Sequence, residues 1–168
     1  MTKKTKILIC GILPPPFFGH SAMYHILMQS AFVDAFDITF LDLKFWNYQQ
    51  HKKITFGNLF KLVKYLFRYT YYLIVKRSRF VLYNMSFDKM PLLKDVLFCA
   101  IGRMLGARIV LHDMGQYAGE LYASSNGFYR SLLRWLLRRT EASIVLGEKV
   151  KLSYNGFLDK SRIFAVPG

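Results

Sequence analysis

His112 and Asp113 are the residues whose type and position most directly offer chemistry. They close the apolar run Ile109-Val110-Leu111, and Met114-Gly115-Gln116 follow them. An imidazole at the carboxyl end of a parallel strand faces the region where open α/β sheets bind ligands, and it can donate to a substrate hydroxyl or carbonyl. Asp113, with Glu120 beyond it, is the nearest carboxylate. It can act as a general base, or it can cap and orient the loop. A strand-end histidine can equally be structural. No nucleophile triad is visible in this chain.

Three other loops carry candidate binding residues. The segment Pro14-Pro15-Pro16-Phe17-Phe18-Gly19-His20-Ser21 links an apolar run to a helical pattern. Gly19 there lets the backbone approach a ligand, and a helix starting near Ser21 offers unpaired N–H groups. The alternative is a plain strand-to-helix turn with Ser21 as N-cap. The loop lacks both Gly-x-Gly-x-x-Gly and Gly-Lys-Ser/Thr, so neither a dinucleotide fingerprint nor a P-loop is supported. Ile144-Val145-Leu146-Gly147-Glu148 repeats the strand-then-helix arrangement; Gly147 either admits a ligand or marks a turn, and Glu148 stands beside it. Asn84, Ser86 and Asp88 can hydrogen-bond a polyhydroxyl acceptor, or cap the helix that follows. Gly115 adds a further glycine at the His112 loop.

These loops need a scaffold. Short apolar runs alternate with helical patterns, the signature of β-α-β units. Strands are expected near 6–11, 37–42, 79–84, 107–112, 142–146 and 162–166, and helices near 20–33, 58–77, 90–105, 127–139 and 147–155. Gly106 stands where a helix C-cap belongs, and Asn126-Gly127 precedes the helix beginning near Phe128. The longest irregular stretch is expected at 113–126. Right-handed crossovers then give an α/β fold: a Rossmann-like, doubly wound, mainly parallel sheet of about six strands with helices on both faces.

The 168 residues suit a single domain with a real core. With 53% hydrophobic, 17% aromatic and 20% charged residues, the composition excludes a disordered chain and argues against a polytopic membrane protein. Lys and Arg number 24 against 10 Asp and Glu, a formal charge of +14. That excess implies an anionic partner: nucleic acid, an acidic membrane surface or a phosphorylated substrate. Nucleic acid is the disfavoured partner, because no Cys/His finger, RNP-type aromatic signature or helix-turn-helix spacing is present. Cys10 and Cys99 read as buried thiols of a reducing compartment, and no metal or cofactor is expected. The apolar run after the basic N-terminus is too short for a signal peptide, so a cytoplasmic location is expected.

Two helices combine apolar and basic faces. In 58–77, positions 59, 62, 63, 66, 67, 70, 73 and 74 are apolar at helical spacing, while Lys61, Lys64 and Arg68 group on another face with Phe60, Tyr65, Tyr69 and Tyr72. Those charges rule out a conventional transmembrane span and suit the headgroup region of a bilayer. In the second helix Arg130, Arg134 and Arg138 repeat at i, i+4 with Trp135 between them. Both can also be ordinary sheet-covering helices with solvated basic faces.

In order, four pieces resemble the N-terminal half of a family-4 glycosyltransferase with two Rossmann-like domains. They are the Lys6-to-Gly11 strand with its Pro-rich loop and Gly19, the Val110-Leu111-His112-Asp113 strand end, the Ala142-to-Leu146 strand after an Arg-rich helix, and Lys160 to Gly168, similar to the family's run into its inter-domain linker. The resemblance implies retaining transfer from a nucleotide-sugar to a polysaccharide or lipid-linked acceptor, with Gly19 near donor phosphates and acceptor and His112 on the transferred sugar. The family usually has two glycines where this chain has Phe18-Gly19, and often a Ser where it has Gly147. Its Glu-x7-Glu segment and main nucleotide-sugar contacts belong to a C-terminal domain, which is expected to be absent here, so the isolated chain is not expected to transfer sugar efficiently.

The resulting expectation is an acceptor-side domain, peripheral on the inner face of the cell membrane, with His112 and Asp113 as catalytic candidates. Gly19, His20, Ser21, Asn84, Gly115, Gly147 and Glu148 are the binding candidates, and Lys61, Lys64, Arg68, Arg130, Arg134 and Arg138 the membrane contacts. The alternatives are a non-catalytic membrane-associated scaffold that recruits a separate catalytic domain, and a simple nucleotide-binding module.

Overall fold

The computed structural model describes residues 4–44, 56–86, 89–115, 118–154 and 156–166. Strand and helix alternate: β1 (Lys6–Gly11), α1 (Gly19–Gln29), α2 (Phe32–Ala35), β2 (Asp37–Asp42), α3 (Phe56–Val75), β3 (Phe80–Asn84), α4 (Lys89–Met104), β4 (Arg108–Asp113), α5 (Ala118–Ser124), α6 (Gly127–Arg139), β5 (Ala142–Leu146), α7 (Gly147–Leu152) and β6 (Ile163–Val166), the last after a 3-10 turn at Lys160–Arg162. The strands form a six-stranded sheet in the order β2-β1-β3-β4-β5-β6, and every described pairing is parallel. The chain is thus α/β and Rossmann-like. It divides into two compact units, Met1–Arg79 and Phe80–Gly168.

In the first unit, β1 and β2 pair in register from Lys6 with Asp37 to Gly11 with Asp42. Leu8, Ile9 and Cys10 are fully buried in succession, as expected of a parallel strand covered on both faces. Gly11 is the glycine that packing demands. A Cβ there would sit 2.6 Å from the ring of Tyr24 on α1. The helix expected over 20–33 is two pieces, because Ser30 turns extended and both its N–H and its hydroxyl bond to the Leu27 carbonyl. A serine that satisfies the last turn's carbonyl with its own side chain competes with helix continuation.

In the second unit, β3 to β6 line up in rows that alternate between faces. Tyr83, Leu111, Ser143 and Ile163 are one row of register partners, and all four are buried. α4 packs on this face: Tyr83 donates to Asp95 at 2.8 Å, and its ring meets Phe98. The next row, Asn84, His112, Ile144 and Phe164, belongs to the opposite face. There Leu82, Val110 and Ile144 are only half-buried, and Leu146, Phe164 and Val166 are exposed. Parallel strands are normally covered on both faces, so the exposure of this apolar face at the ends of β5 and β6 is unusual.

Gly106 ends α4 in the left-handed region at φ 80°, and the Ala107 N–H bonds back to the Gly102 carbonyl. Asn126 caps α6 by accepting from the Tyr129 N–H at 3.2 Å. The stretch 113–126, expected to be irregular, contains α5. Gly119 within it lies so close to the end of α7 that a Cβ would approach the Ser153 carbonyl oxygen to 3.1 Å. A seven-residue helix with a glycine in its first turn has too little periodicity to announce itself in sequence.

Candidate functional site

The carboxyl ends of β3, β4 and β5 form a rim in the second unit. Asn84 and His112 are register partners there, so they share a face, and Gly147 follows the end of β5. The Met85 N–H bonds to the His112 carbonyl at 3.2 Å, which holds the loop after β3 against the end of β4. His112 is 7% exposed, so a ligand would meet only a small part of its ring.

Asp113 faces the other way. It is fully buried on the helix-covered side, accepting from the Tyr154 hydroxyl at 3.0 Å and from the Gly115 N–H at 3.2 Å. Burial first, and the Asp113 carboxylate second, push the Tyr154 phenol well above its ordinary value, so it remains a donor. Strand alternation therefore separates the two catalytic candidates onto opposite faces. The carboxylate orients the loop that carries Gly115, the second of the roles open to it.

Gly115 adopts φ 104°, and a Cβ there would come no nearer than 4.0 Å to its surroundings, at the Leu146 side chain. Gly147 has φ 80° with nothing near a would-be Cβ, so backbone conformation rather than crowding requires glycine there. This lets β5 turn directly into α7. Glu148 is exposed and pairs with Lys151 at 3.7 Å.

Asp95 is a residue that sequence reasoning missed. It is fully buried, yet its charge is matched: Lys94 approaches at 2.6 Å, and the Ser86 N–H and Tyr83 hydroxyl donate to it. Its signal was a lone carboxylate inside the apolar stretch Pro91-Leu92-Leu93-Lys94-Asp95-Val96-Leu97-Phe98. This network ties Ser86, just beyond β3, to α4. Asp88 lies outside the described residues.

In the first unit α1 begins at Gly19 with Phe18 at the N-cap, so Ser21 lies within the first turn and is not the N-cap. Ser21 is buried inside the turn, where its hydroxyl accepts from the Phe18 N–H at 3.0 Å and donates to the Pro16 carbonyl at 2.7 Å. That hydroxyl is committed to shaping the loop. Gly19 is exposed, with no atom near a would-be Cβ, and the His20 ring is half-buried, edge-on to Phe18.

The six basic candidates divide sharply. Arg130 donates to the Tyr122 carbonyl at 2.9 Å and the Ala123 carbonyl at 3.0 Å, closing the end of α5. Arg134 bonds to the Tyr122 hydroxyl, and both guanidinium groups lie 5.2 Å from that ring's centroid. Arg138 is exposed, while Leu133, Leu136 and Leu137 of the same helix are buried. On α3 the picture reverses: Lys61, Lys64 and Arg68 are all exposed, and so are Phe60, Val63, Phe67, Tyr71 and Ile74. Tyr69, expected on the basic face, is fully buried with Leu73.

No three His, Cys, Asp or Glu side chains converge to hold a metal ion among the described residues. Among the same residues, no helix is long and apolar enough to cross a membrane. The second unit's rim carries an imidazole and an amide beside a glycine turn, groups whose chemistry is hydrogen bonding. Neither a known family model nor a curated protein sequence matches this chain.

Proposed function

We propose that this chain is the acceptor-side domain of a glycosyltransferase that moves a sugar from a nucleotide-sugar donor to a polysaccharide or lipid-linked acceptor at the cytoplasmic face of a membrane. The observation that carries the reading is the row of Asn84 and His112 at the carboxyl ends of parallel strands, with the Gly147 turn at the end of the next strand. His112 would orient the donor sugar, and the exposed backbone at Gly19 would admit phosphate or acceptor. Catalysis would come from positioning and electrostatics, because none of these groups is an activated nucleophile.

The apolar side chains of Leu146, Phe164 and Val166, exposed beside the rim, support a second lobe or subunit docking there. The same face favours, as the second reading, a scaffold that recruits a separately encoded catalytic domain. Ring resonances of the four histidines distinguish the two. Titrating the chain with a panel of nucleotide-sugars is expected to shift the His112 signals and leave those of exposed His25 in place. If no nucleotide-sugar moves His112 at millimolar concentration, the donor-binding reading fails and the scaffold reading stands.

A further inference from the structure

We propose that α3 docks this protein on an anionic lipid surface, lying in the plane of the headgroups rather than crossing the bilayer. This deepens the membrane placement in the reading above and is independent of its sugar chemistry. Phe60, Val63, Phe67, Tyr71 and Ile74 follow one another at steps of three or four residues, so they form one stripe along the helix. The stripe faces solvent: Phe60 is 70% and Phe67 73% exposed. It runs for about 20 Å at the rise of an α-helix. Tyr69 and Leu73, buried on the opposite side, hold the helix to the protein, so the stripe is not what keeps α3 folded.

The charge around the stripe selects its partner. Lys61, Lys64 and Arg68 border one side of it, all exposed. Across positions 43–87 the sequence holds nine Lys or Arg and no Asp or Glu. Phe67, Arg68, Tyr71 and Tyr72 line a shallow notch in which the Arg68 guanidinium donates to the Tyr72 hydroxyl at 3.5 Å. Apolar side chains reaching the acyl boundary, with aromatic rings and cations at phosphate depth, are what an in-plane amphipathic helix requires. A phosphodiester polymer would be held by the cations but would leave the Phe and Ile side chains wet.

The test is co-sedimentation of the full chain with vesicles of phosphatidylcholine alone, or of phosphatidylcholine with about a third phosphatidylglycerol. The chain is expected to pellet with the anionic vesicles at least about tenfold better, and salt should release it. Replacing Lys61, Lys64 and Arg68 by Gln together should lower partitioning by about a hundredfold, from roughly fivefold per cation. Phe60→Ser with Phe67→Ser should lower it by at least about tenfold with an unchanged thermal midpoint. The proposal is overturned if the wild type ignores anionic vesicles, if the Phe variant binds as well as the wild type, or if duplex DNA or an acidic protein is bound in place of lipid. The vesicles contain no nucleotide-sugar, so failure here leaves the His112 titration to decide the sugar reading separately.

Discussion

α3 and α6 are both basic, aromatic, amphipathic helices, yet they stand in opposite relations to solvent. In α6 the leucine stripe is buried and two of the arginines are engaged by α5, one on its terminal carbonyls and one on Tyr122. In α3 the cations and an apolar stripe are exposed together. A row of arginines therefore says little about a membrane. What matters is whether the greasy face beside it has already been consumed by the fold, since burying about 25 cal/mol per Å² can be done only once.

The largest effect expected from that contrast is on stability. Leu136 is 1% exposed, so Leu136→Ala should cost about 2–5 kcal/mol through lost burial and a cavity. Phe67→Ala removes a larger side chain from α3 but should change stability by less than about 0.5 kcal/mol, because the ring is already in water. Urea denaturation of the two variants measures both. A Phe67→Ala cost comparable with that of Leu136→Ala would mean the stripe is packed, and the contrast would be broken.

Arg130 sharpens the comparison at lower cost. Removing its guanidinium leaves the Tyr122 and Ala123 carbonyls to water, and Arg130→Ala should lose about 1.5 kcal/mol with faster amide exchange in α5. Arg138→Ala, one helical turn from Arg134 on an exposed position, should stay within about 0.5 kcal/mol. Equal losses would show that the contacts of Arg130 contribute nothing beyond helix propensity.

How far the sequence reveals these differences depends on the range of the information. The strands β1, β2 and β5 are legible to the residue, because each is a short, mainly apolar run punctuated by Gly or Asp: Gly11 ends β1, Asp37 and Asp42 bound β2, and Gly147 follows β5. The rim of His112 and Gly147 is legible for the same reason. The depth of Asp113 and Ser21 is not, since it depends on Tyr154, 41 residues away, and on a turn that folds back onto Pro16. Nor is the orientation of α3. Its apolar residues occupy most of its circumference, so the pattern alone nominated Tyr69 for the surface, whereas packing buried it and left Phe60 and Phe67 outside. Periodicity reports that a helix has a greasy side; tertiary contacts choose which greasy side is used.

The smallest expected effect concerns acid. Glu141, just after α6, is held below the ordinary glutamate range first by its hydrogen bond from Arg108, and the positive charges of Arg108, Arg162 and Arg103 act in the same direction. A carboxylate whose pKa is lowered by folding adds stability that is present above its unfolded value and lost as pH falls through the folded one. Both partners are substantially exposed, so solvent screening keeps the contribution small. The midpoint difference between the wild type and Glu141→Gln should be constant from neutral pH down to about 4.5 and should shrink below it, because protonated Glu then resembles Gln. Vesicle binding through α3 should not follow that curve, since positions 43–87 contain no carboxylate to titrate. If binding to lipid weakens in step with the Glu141 transition, the charge that governs docking belongs to the α6 side of the chain and the distinction between the two helices fails.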